Sequence, residues 1–289
     1  MMDYQELWHS LEPRYGTTEA QAITRTVLEM EFGLTLTDIV CGKVNELSAN
    51  SRVRLRKIFD RLLEGEPVQY VLGEAEFDGH SFRVGPGVLI PRPETEDLVE
   101  MVSRWWKKRE EQMADRVNTG SQRLLDIGTG SGCIAVSLAL RHPQAEITAW
   151  DIFDAALTMA RHNAERLGAT ISLERQDALR PPCDHAKWDA IVSNPPYVTH
   201  REQAAMEANV LEHEPHLALF VPDEEPLRYY IPIARYASQA LRKEGLLAFE
   251  GNPLYARQLR ETLREMGFQH VRTLPDRYGK HRMTLAIAP

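Results

Sequence analysis

Apolar positions in the first quarter of the chain recur at helical spacing. Ile23, Val27 and Met30 fall at i, i+4 and i+7. They follow Thr18-Glu-Ala-Gln21, which has the form of a capping box, and Gly33 can end the turn. Leu55, Ile58, Phe59 and Leu62 repeat the pattern over about 51–63, stopping at Gly65 with Pro67 beyond. The texture then changes. Residues 76–84 read as two short extended runs around Asp78-Gly79, a hairpin signal, and Pro86-Gly87 turns the chain before Val88-Leu89-Ile90. From about 91 a helix carries Leu98, Val99, Val102 and Trp106, and a polar linker follows over about 107–122. Strands and helices then alternate. Strands are predicted at 123–126, 146–151, 171–173, 190–193 and 246–250, with two more at the C-terminus. Helices are predicted from 133, over 155–167, near 227–241, and over 254–266 closed by Gly267. Such alternation predicts an α/β fold with a doubly wound, mostly parallel sheet covered on both faces. The expected organisation is a helical domain over 1–75, a β-hairpin linker over 76–92 and an α/β domain over 93–289.

Composition narrows the class. With 43% hydrophobic and 26% charged residues in 289, the chain is neither disordered nor fibrous. No apolar run approaches the roughly 18–20 residues that span a bilayer, so no membrane partner is expected. Acids at Asp3 and Glu6 stand where a secretory signal would carry bases. Cys41, Cys133 and Cys183 are far apart, which argues against a disulfide framework and a structural zinc site, so a reducing cytoplasm is the expected location. The formal charge of −8 weighs against a duplex nucleic-acid partner. Arg52, Arg54, Arg56, Lys57 and Arg61 read as the solvated face of an amphipathic helix. Nothing marks an oligomer, and a monomer is the default.

Two segments carry the chemistry. Leu124-Leu125-Asp126-Ile127-Gly128-Thr129-Gly130-Ser131-Gly132 is an apolar strand entering a glycine-rich turn at a helix start, where the backbone can come close to a ligand. A dinucleotide fingerprint would need Gly where Cys133 stands, which weakens a nicotinamide or flavin reading. Asp151 ends the second strand, where it can accept from both ribose hydroxyls, and Asp177 follows the third, where adenine would lie. An adenosine without a pyrophosphate fits, and S-adenosyl-L-methionine is such a ligand, leaving as S-adenosyl-L-homocysteine.

The second segment is Ile191-Val192-Ser193-Asn194-Pro195-Pro196-Tyr197, an apolar strand ending at the edge where α/β sheets bind ligands. An amide or aniline-like nitrogen is a poor nucleophile because its lone pair is delocalised. Two acceptors holding its N–H bonds would aim that lone pair at an electrophilic methyl. Asn194 offers a side-chain carbonyl, and Pro195 a backbone carbonyl with no N–H to compete. Pro196 restricts Pro195 to an extended conformation, and Tyr197 offers a ring face to a planar group.

Together these residues resemble the seven-stranded class I S-adenosylmethionine-dependent methyltransferases that modify amide or exocyclic nitrogens. Gly65-Glu66-Pro67-Val68-Gln69-Tyr70 through Gly73, and Leu89-Ile90-Pro91-Arg92-Pro93-Glu94-Thr95-Glu96, resemble the HemK/PrmC family of peptide chain release factor N(5)-glutamine methyltransferases. Glu214-Pro215 ahead of Ala218-Leu219-Phe220, and Arg277-Tyr278-Gly279 with Arg282, match as well. The resemblance implies that Gly128–Gly132 cradle the methionine part of the cofactor, Asp151 binds the ribose, and Ala178 beside Asp177 lies against the adenine. It implies that Asn194 through Tyr197 bind a glutamine amide, with Asn194 also touching the cofactor. The implied substrate is the Gln of the Gly-Gly-Gln tip of class I release factors, docked with help from the helical domain. Ala178, His213 and Glu250-Gly251-Asn252 depart from common family forms. Two alternatives remain open: a glutamine of a large-subunit ribosomal protein, and an adenine amino group in DNA, which the same acceptors could hold.

Four features are set aside. Pro215 breaks helical geometry in His213-Glu-Pro-His216, so a metal pair is not expected there. Cys133 lacks a paired base and reads as packing, and Trp105-Trp106 as core and domain contact. Glu94 and Glu96 read equally as a functional charge cluster or as helix-dipole partners.

Overall fold

A computed structural model of the chain describes residues 3–113 and 122–289, which gather into two compact units. The first unit is helical, ends at Glu74, and also takes in Met206–His213 from far along the chain. It holds α1 (Tyr4–Phe32), α2 (Leu36–Val40), α3 (Ala49–Leu63) and α4 (Val68–Leu72). A capping box of Asp3 and Glu6 starts α1. Gly16, at φ 72 and ψ 165, kinks α1 three residues after Pro13. The break therefore comes before Thr18, whose hydroxyl makes no cap bond among the described residues. Gly33 ends α1 in the left-handed region as expected, giving its N–H to the Glu29 carbonyl at 3.0 Å. Leu11, Val27, Leu28, Leu55 and Leu62 are fully enclosed in this unit's core. The basic side of α3 is partly neutralised within the unit: Arg54 pairs with Glu31, Arg61 with Glu66, and Arg52 donates to the Asn45 and Leu47 carbonyls.

The second unit begins at Ala75, within the hairpin of β1 (Glu74–Phe77) and β2 (His80–Arg83), followed by α5 (Thr95–Met113). The predicted linker at 107–122 is thus helical as far as Met113, and 114–121 lies outside the described residues. Lys107 through Glu111 are polar but good helix formers, and Trp106 donates to Glu110 one turn on at 3.0 Å. Alternating elements follow: β3 (Arg123–Ile127), α6 (Cys133–Arg141), β4 (Glu146–Asp151), α7 (Asp154–Leu167), β5 (Ser172–Arg175) and β6 (Trp188–Ser193). Next come the short parallel pair β7 (Val198–Thr199) and β8 (Phe220–Val221); between them in sequence lie α8 (Ala208–His213), which belongs to the first unit, and α9 (His216–Leu219). The chain closes through α10 (Tyr230–Ala240), β9 (Leu241–Glu250), α11 (Ala256–Glu265), β10 (Gln269–Pro275) and β11 (His281–Ile287).

Seven strands form the main sheet in the order β10-β11-β9-β6-β3-β4-β5. β9, β6, β3, β4 and β5 run parallel, and β11 lies antiparallel between β9 and β10. Every residue of β6 is buried, as expected of a central strand covered on both faces. Leu98 and Val102 of α5 with Ile134 and Leu138 of α6 pack on one face; Ile233 of α10 with Leu259 and Leu263 of α11 pack on the other. This is the doubly wound α/β architecture the alternation predicts. Among the described residues no helix is long and apolar enough to cross a membrane.

Candidate active site

The parallel strands all end at one edge, and the turns leaving them converge on a cleft of about 260 Å³. Gly128, Gly130, Asp151, Asp177, Ala178, Asn194, Pro195 and Pro196 line it, so most of the candidate residues meet there. Gly87, Val88 and Leu89 after the hairpin and Pro215, Leu217 and Ala218 around α9 complete its wall. Asp126, Thr129, Ser131, Gly132 and Tyr197 are not among the residues that line it.

The glycine turn is held by the strand beside it. Gly128 and Thr129 both donate their N–H to the Trp150 carbonyl at 2.9 Å. Gly128 and Gly130 have φ of 78° and 55°, and a Cβ on either would meet open space. Asp126, wholly buried, accepts from the Thr129 hydroxyl at 2.7 Å, and burial pushes its carboxyl up to about 7. Asn163 of α7 braces the turn from behind. Its Nδ2 donates to the Ser131 and Arg83 carbonyls at 2.8 and 2.9 Å, while its Oδ1 accepts from the Arg83 N–H at 2.7 Å. The hairpin and the turn are thus tied through one amide.

Asp151 places a carboxylate at the end of β4. Its Oδ2 accepts from the Gly130 N–H at 2.9 Å and its Oδ1 from the Phe153 N–H at 3.0 Å. Two donors orient the group and leave each oxygen a lone pair for a diol. Burial raises its pKa above the ordinary carboxylate value. Asp177 accepts from the Leu179 N–H at 2.8 Å, forming the turn that sets Ala178 in the wall. An open glycine turn, a diol acceptor and a partly apolar wall at the next strand end fit an adenosine carrying an amino acid.

The Asn-Pro-Pro-Tyr segment leaves β6 beside the end of β9, where Ser193 faces Phe249 across the sheet. Glu250 is therefore next to Asn194. Its side chain is wholly buried, accepting from the Thr95 hydroxyl at 2.7 Å and the Tyr197 hydroxyl at 3.1 Å. Asn194 in turn donates from Nδ2 to Thr95 Oγ1 at 3.3 Å. Arg282 reaches the Tyr197 hydroxyl at 3.4 Å and is itself anchored on Asp276 at 2.9 Å. Asn252 donates to the Tyr197 carbonyl at 3.3 Å and to Glu202 at 2.9 Å. Sequence reasoning named neither Thr95 nor Glu250 as site residues. The signal was present for Glu250, an acid ending an apolar strand as Asp151 does.

The features set aside have structural partners. Glu214 accepts from the Ile90 N–H and pairs with Arg92 at 2.6 Å, so both carboxylate oxygens of His213-Glu-Pro-His216 are engaged. Glu96 accepts from the Asp78 N–H at 2.9 Å and, with Asp97, holds Arg277. Burial pushes the Cys133 thiol up to about 12, so it stays protonated at neutral pH. Trp106 lies in the core, and Arg109 sits 5.4 Å from the Trp105 ring.

Known proteins resemble the chain along most of its length. Residues 8–73 match the model of the PrmC N-terminal domain, and residues 111–218 that of the methyltransferase small domain. The hMettl16 catalytic domain, solved with an RNA hairpin, shares the fold at a TM-score of 0.52 and 20% identity, over 73% of this chain and 76% of that one. The release factor glutamine methyltransferase of Bacteroides thetaiotaomicron is 44% identical over 278 residues, 96% of each chain. Its namesake in Flavobacterium psychrophilum is 38% identical, covering 93% of this chain and 92% of that one. The Streptococcus pneumoniae protein of the same name is 36% identical, covering 87% and 86%. Similarity of this degree, sustained through both units, shows that the chain belongs to the release factor glutamine methyltransferases.

Proposed function

We propose that the cleft transfers a methyl group from S-adenosyl-L-methionine to the side-chain amide nitrogen of a glutamine in a class I peptide chain release factor, at its Gly-Gly-Gln tip. Family membership supports the reaction, and one observation carries the site. The Asn194 and Pro195 carbonyls end a strand in the same cleft as the open glycine turn and Asp151.

Bound there, the sulfonium would supply an activated methyl group. Asp151 would hold the ribose diol, and Gly128 and Gly130 would leave room for the amino-acid chain. Thr129 and Ser131 would shape the turn, Gly132 would start α6 close against α7, and Asp126 would fix the turn through Thr129. Asp177 and Ala178 would border the adenine. The glutamine amide would donate its two N–H groups to Asn194 Oδ1 and the Pro195 carbonyl, turning its lone pair towards the methyl. Pro196 and Tyr197 would confine the amide plane. The nitrogen would take the methyl that the sulfonium supplies, sulfur keeping the electron pair of the broken bond, and the surplus amide proton would leave to solvent. Orientation of this kind can contribute on the order of 7–11 kcal/mol, enough to make a delocalised amide react without a dedicated nucleophile.

The helical unit would dock the protein substrate. It exposes Leu36, Val40 and Val53, apolar side chains available to a protein partner. One chain carries every group invoked, so a monomer suffices. A substrate that works on the ribosome places the reaction in the cytoplasm, and no direct nucleic-acid contact is required.

Labelled-methyl transfer tests the substrate. Label should enter the intact factor and not its tip Gln→Ala variant, a ribosomal protein fraction or duplex DNA. Label in DNA, or label that survives loss of the tip glutamine, would overturn the reading.

A further inference from the structure

An asparagine amide can present either its carbonyl or its N–H₂ group to a cleft, and only the carbonyl can receive a substrate N–H. Nothing in Asn-Pro-Pro-Tyr itself decides between them. The decision rests on what stands behind Asn194. Thr95 Oγ1 lies 2.7 Å from Glu250 Oε2 and 3.3 Å from Asn194 Nδ2. A hydroxyl carries one proton, and an ionised carboxylate can only accept. With Glu250 ionised, the Thr95 proton must go to Glu250, so Thr95 turns a lone pair to Asn194. Asn194 must then answer with Nδ2, and its Oδ1 accepts from no group among the described residues. The second oxygen of Glu250 accepts a hydrogen bond from the Tyr197 hydroxyl at 3.1 Å. One buried carboxylate thereby orients both ends of the tetrad.

We propose that Thr95 and Glu250 form a positioning relay that holds the Asn194 carbonyl towards the cleft, ready to receive the N–H of the substrate amide. The relay rests on the assignment of Asn194 as an amide acceptor. Its three members come from distant parts of the chain. Thr95 starts α5, Asn194 follows β6, and Glu250 ends β9 in the position adjacent to Asn194. Thr95 and Glu250 are both buried, so water does not compete for these bonds.

The relay has a protonation state in which it fails. If Glu250 carries a proton and donates it to Thr95, the Thr95 hydroxyl is released to donate to Asn194. The amide then turns its N–H₂ group to the cleft and repels the substrate N–H. The groups acting on Glu250 are Glu94 ahead of α5, Thr95 at its start, Tyr197 after β6, Tyr230 on α10, Cys133 on α6 and Arg282 on β11. Burial, the largest influence, and Glu94 raise the carboxyl to about 7, against the lowering by Thr95, Tyr197 and Arg282. Methyl transfer should therefore rise through an acid limb near neutrality as Glu250 ionises.

The test compares Thr95→Val, Thr95→Ser, Asn194→Ala, the double variant Thr95→Val/Asn194→Ala, and Glu250→Gln. Steady-state methyl transfer to a release factor is measured with cofactor affinity by calorimetry. Thr95→Val should lower kcat roughly tenfold or more with cofactor affinity little changed, because it removes the hydroxyl and nearly keeps the shape. Thr95→Ser should restore most of the rate. On the Asn194→Ala background, Thr95→Val should cost nothing further. Glu250→Gln should lose the acid limb. A Thr95→Val enzyme with the wild-type rate, an equal loss in Thr95→Ser, a further loss in the double variant, or an unchanged limb in Glu250→Gln would overturn the relay. If Asn194→Ala itself kept the wild-type rate, the Asn194 assignment would fall instead. The Glu250→Gln profile decides the matter should Thr95→Val not fold.

Discussion

Gly128, Gly130 and Gly132 share one turn and three positive φ values, yet of the three only Gly132 would bring a Cβ against close neighbours. At Gly132 a Cβ would lie 2.9 Å from the Ala160 Cβ and 3.0 Å from its Cα, because α6 and α7 pass closely there. Gly132→Ala should destabilise the fold by about 1–3 kcal/mol, read from urea unfolding. At Gly128 the space is open, so Gly128→Ala should weaken cofactor affinity more than it weakens the fold. Asp151 has both oxygens oriented by backbone donors, so Asp151→Asn replaces an acceptor with a donor where the diol would sit. Cofactor affinity by calorimetry should fall roughly tenfold or more, since hydrogen bonds to charged groups are worth about 1.5–3 kcal/mol. The gathering of these residues was legible in sequence because each is an acid or glycine immediately after an apolar strand, and parallel strands end at one edge. Thr95 was not legible as part of the site, since only folding brings it beside Asn194 and Glu250.

Among elements, alternation of apolar runs exposed the sheet and its helices, because buried parallel strands and amphipathic helices differ in length and period. Boundaries failed where side chains substitute for a local signal. α5 continues to Met113 through Lys107–Glu111 because its apolar face packs on the sheet up to Trp106 while its charged residues remain good helix formers. α1 starts at Tyr4, earlier than periodicity alone implies, since the kink at Gly16 splits its apolar face into two registers. Short elements such as α4, α8 and α9 span about a turn or slightly more, too little for a period to show. Asn163 was invisible for another reason: an amide in mid-helix has no local signature of its distant partners. It satisfies the Arg83 N–H, the Arg83 carbonyl and the Ser131 carbonyl. Asn163→Ala should strand buried backbone groups and cost about 2–4 kcal/mol, measurable as a lower unfolding midpoint.

For the molecule as a whole, the site is built from carboxylates taken out of water. Burial raises the Asp126 and Glu250 carboxyls from 3.8 and 4.5 to about 7 in each case. Between those values the folded chain keeps protons that the unfolded chain releases, so these groups lower stability as pH rises towards 7 and level off above it. His142 acts in the opposite sense, since burial lowers it to about 4 and the unfolded chain binds its proton first. The contribution of Glu250 is therefore isolated by difference: the stability of Glu250→Gln relative to wild type should grow from pH 5 to pH 8, read from urea midpoints. A difference that does not change with pH would contradict a buried, elevated Glu250. The most direct measurement of the central claim is the rate of methyl transfer to a release factor by Asn194→Ala at saturating cofactor. A fall of roughly 10²–10³-fold, with the fold intact and a much smaller change in cofactor affinity, is predicted from loss of an oriented acceptor. A wild-type rate in that variant would contradict the claim that the amide is held at Asn194.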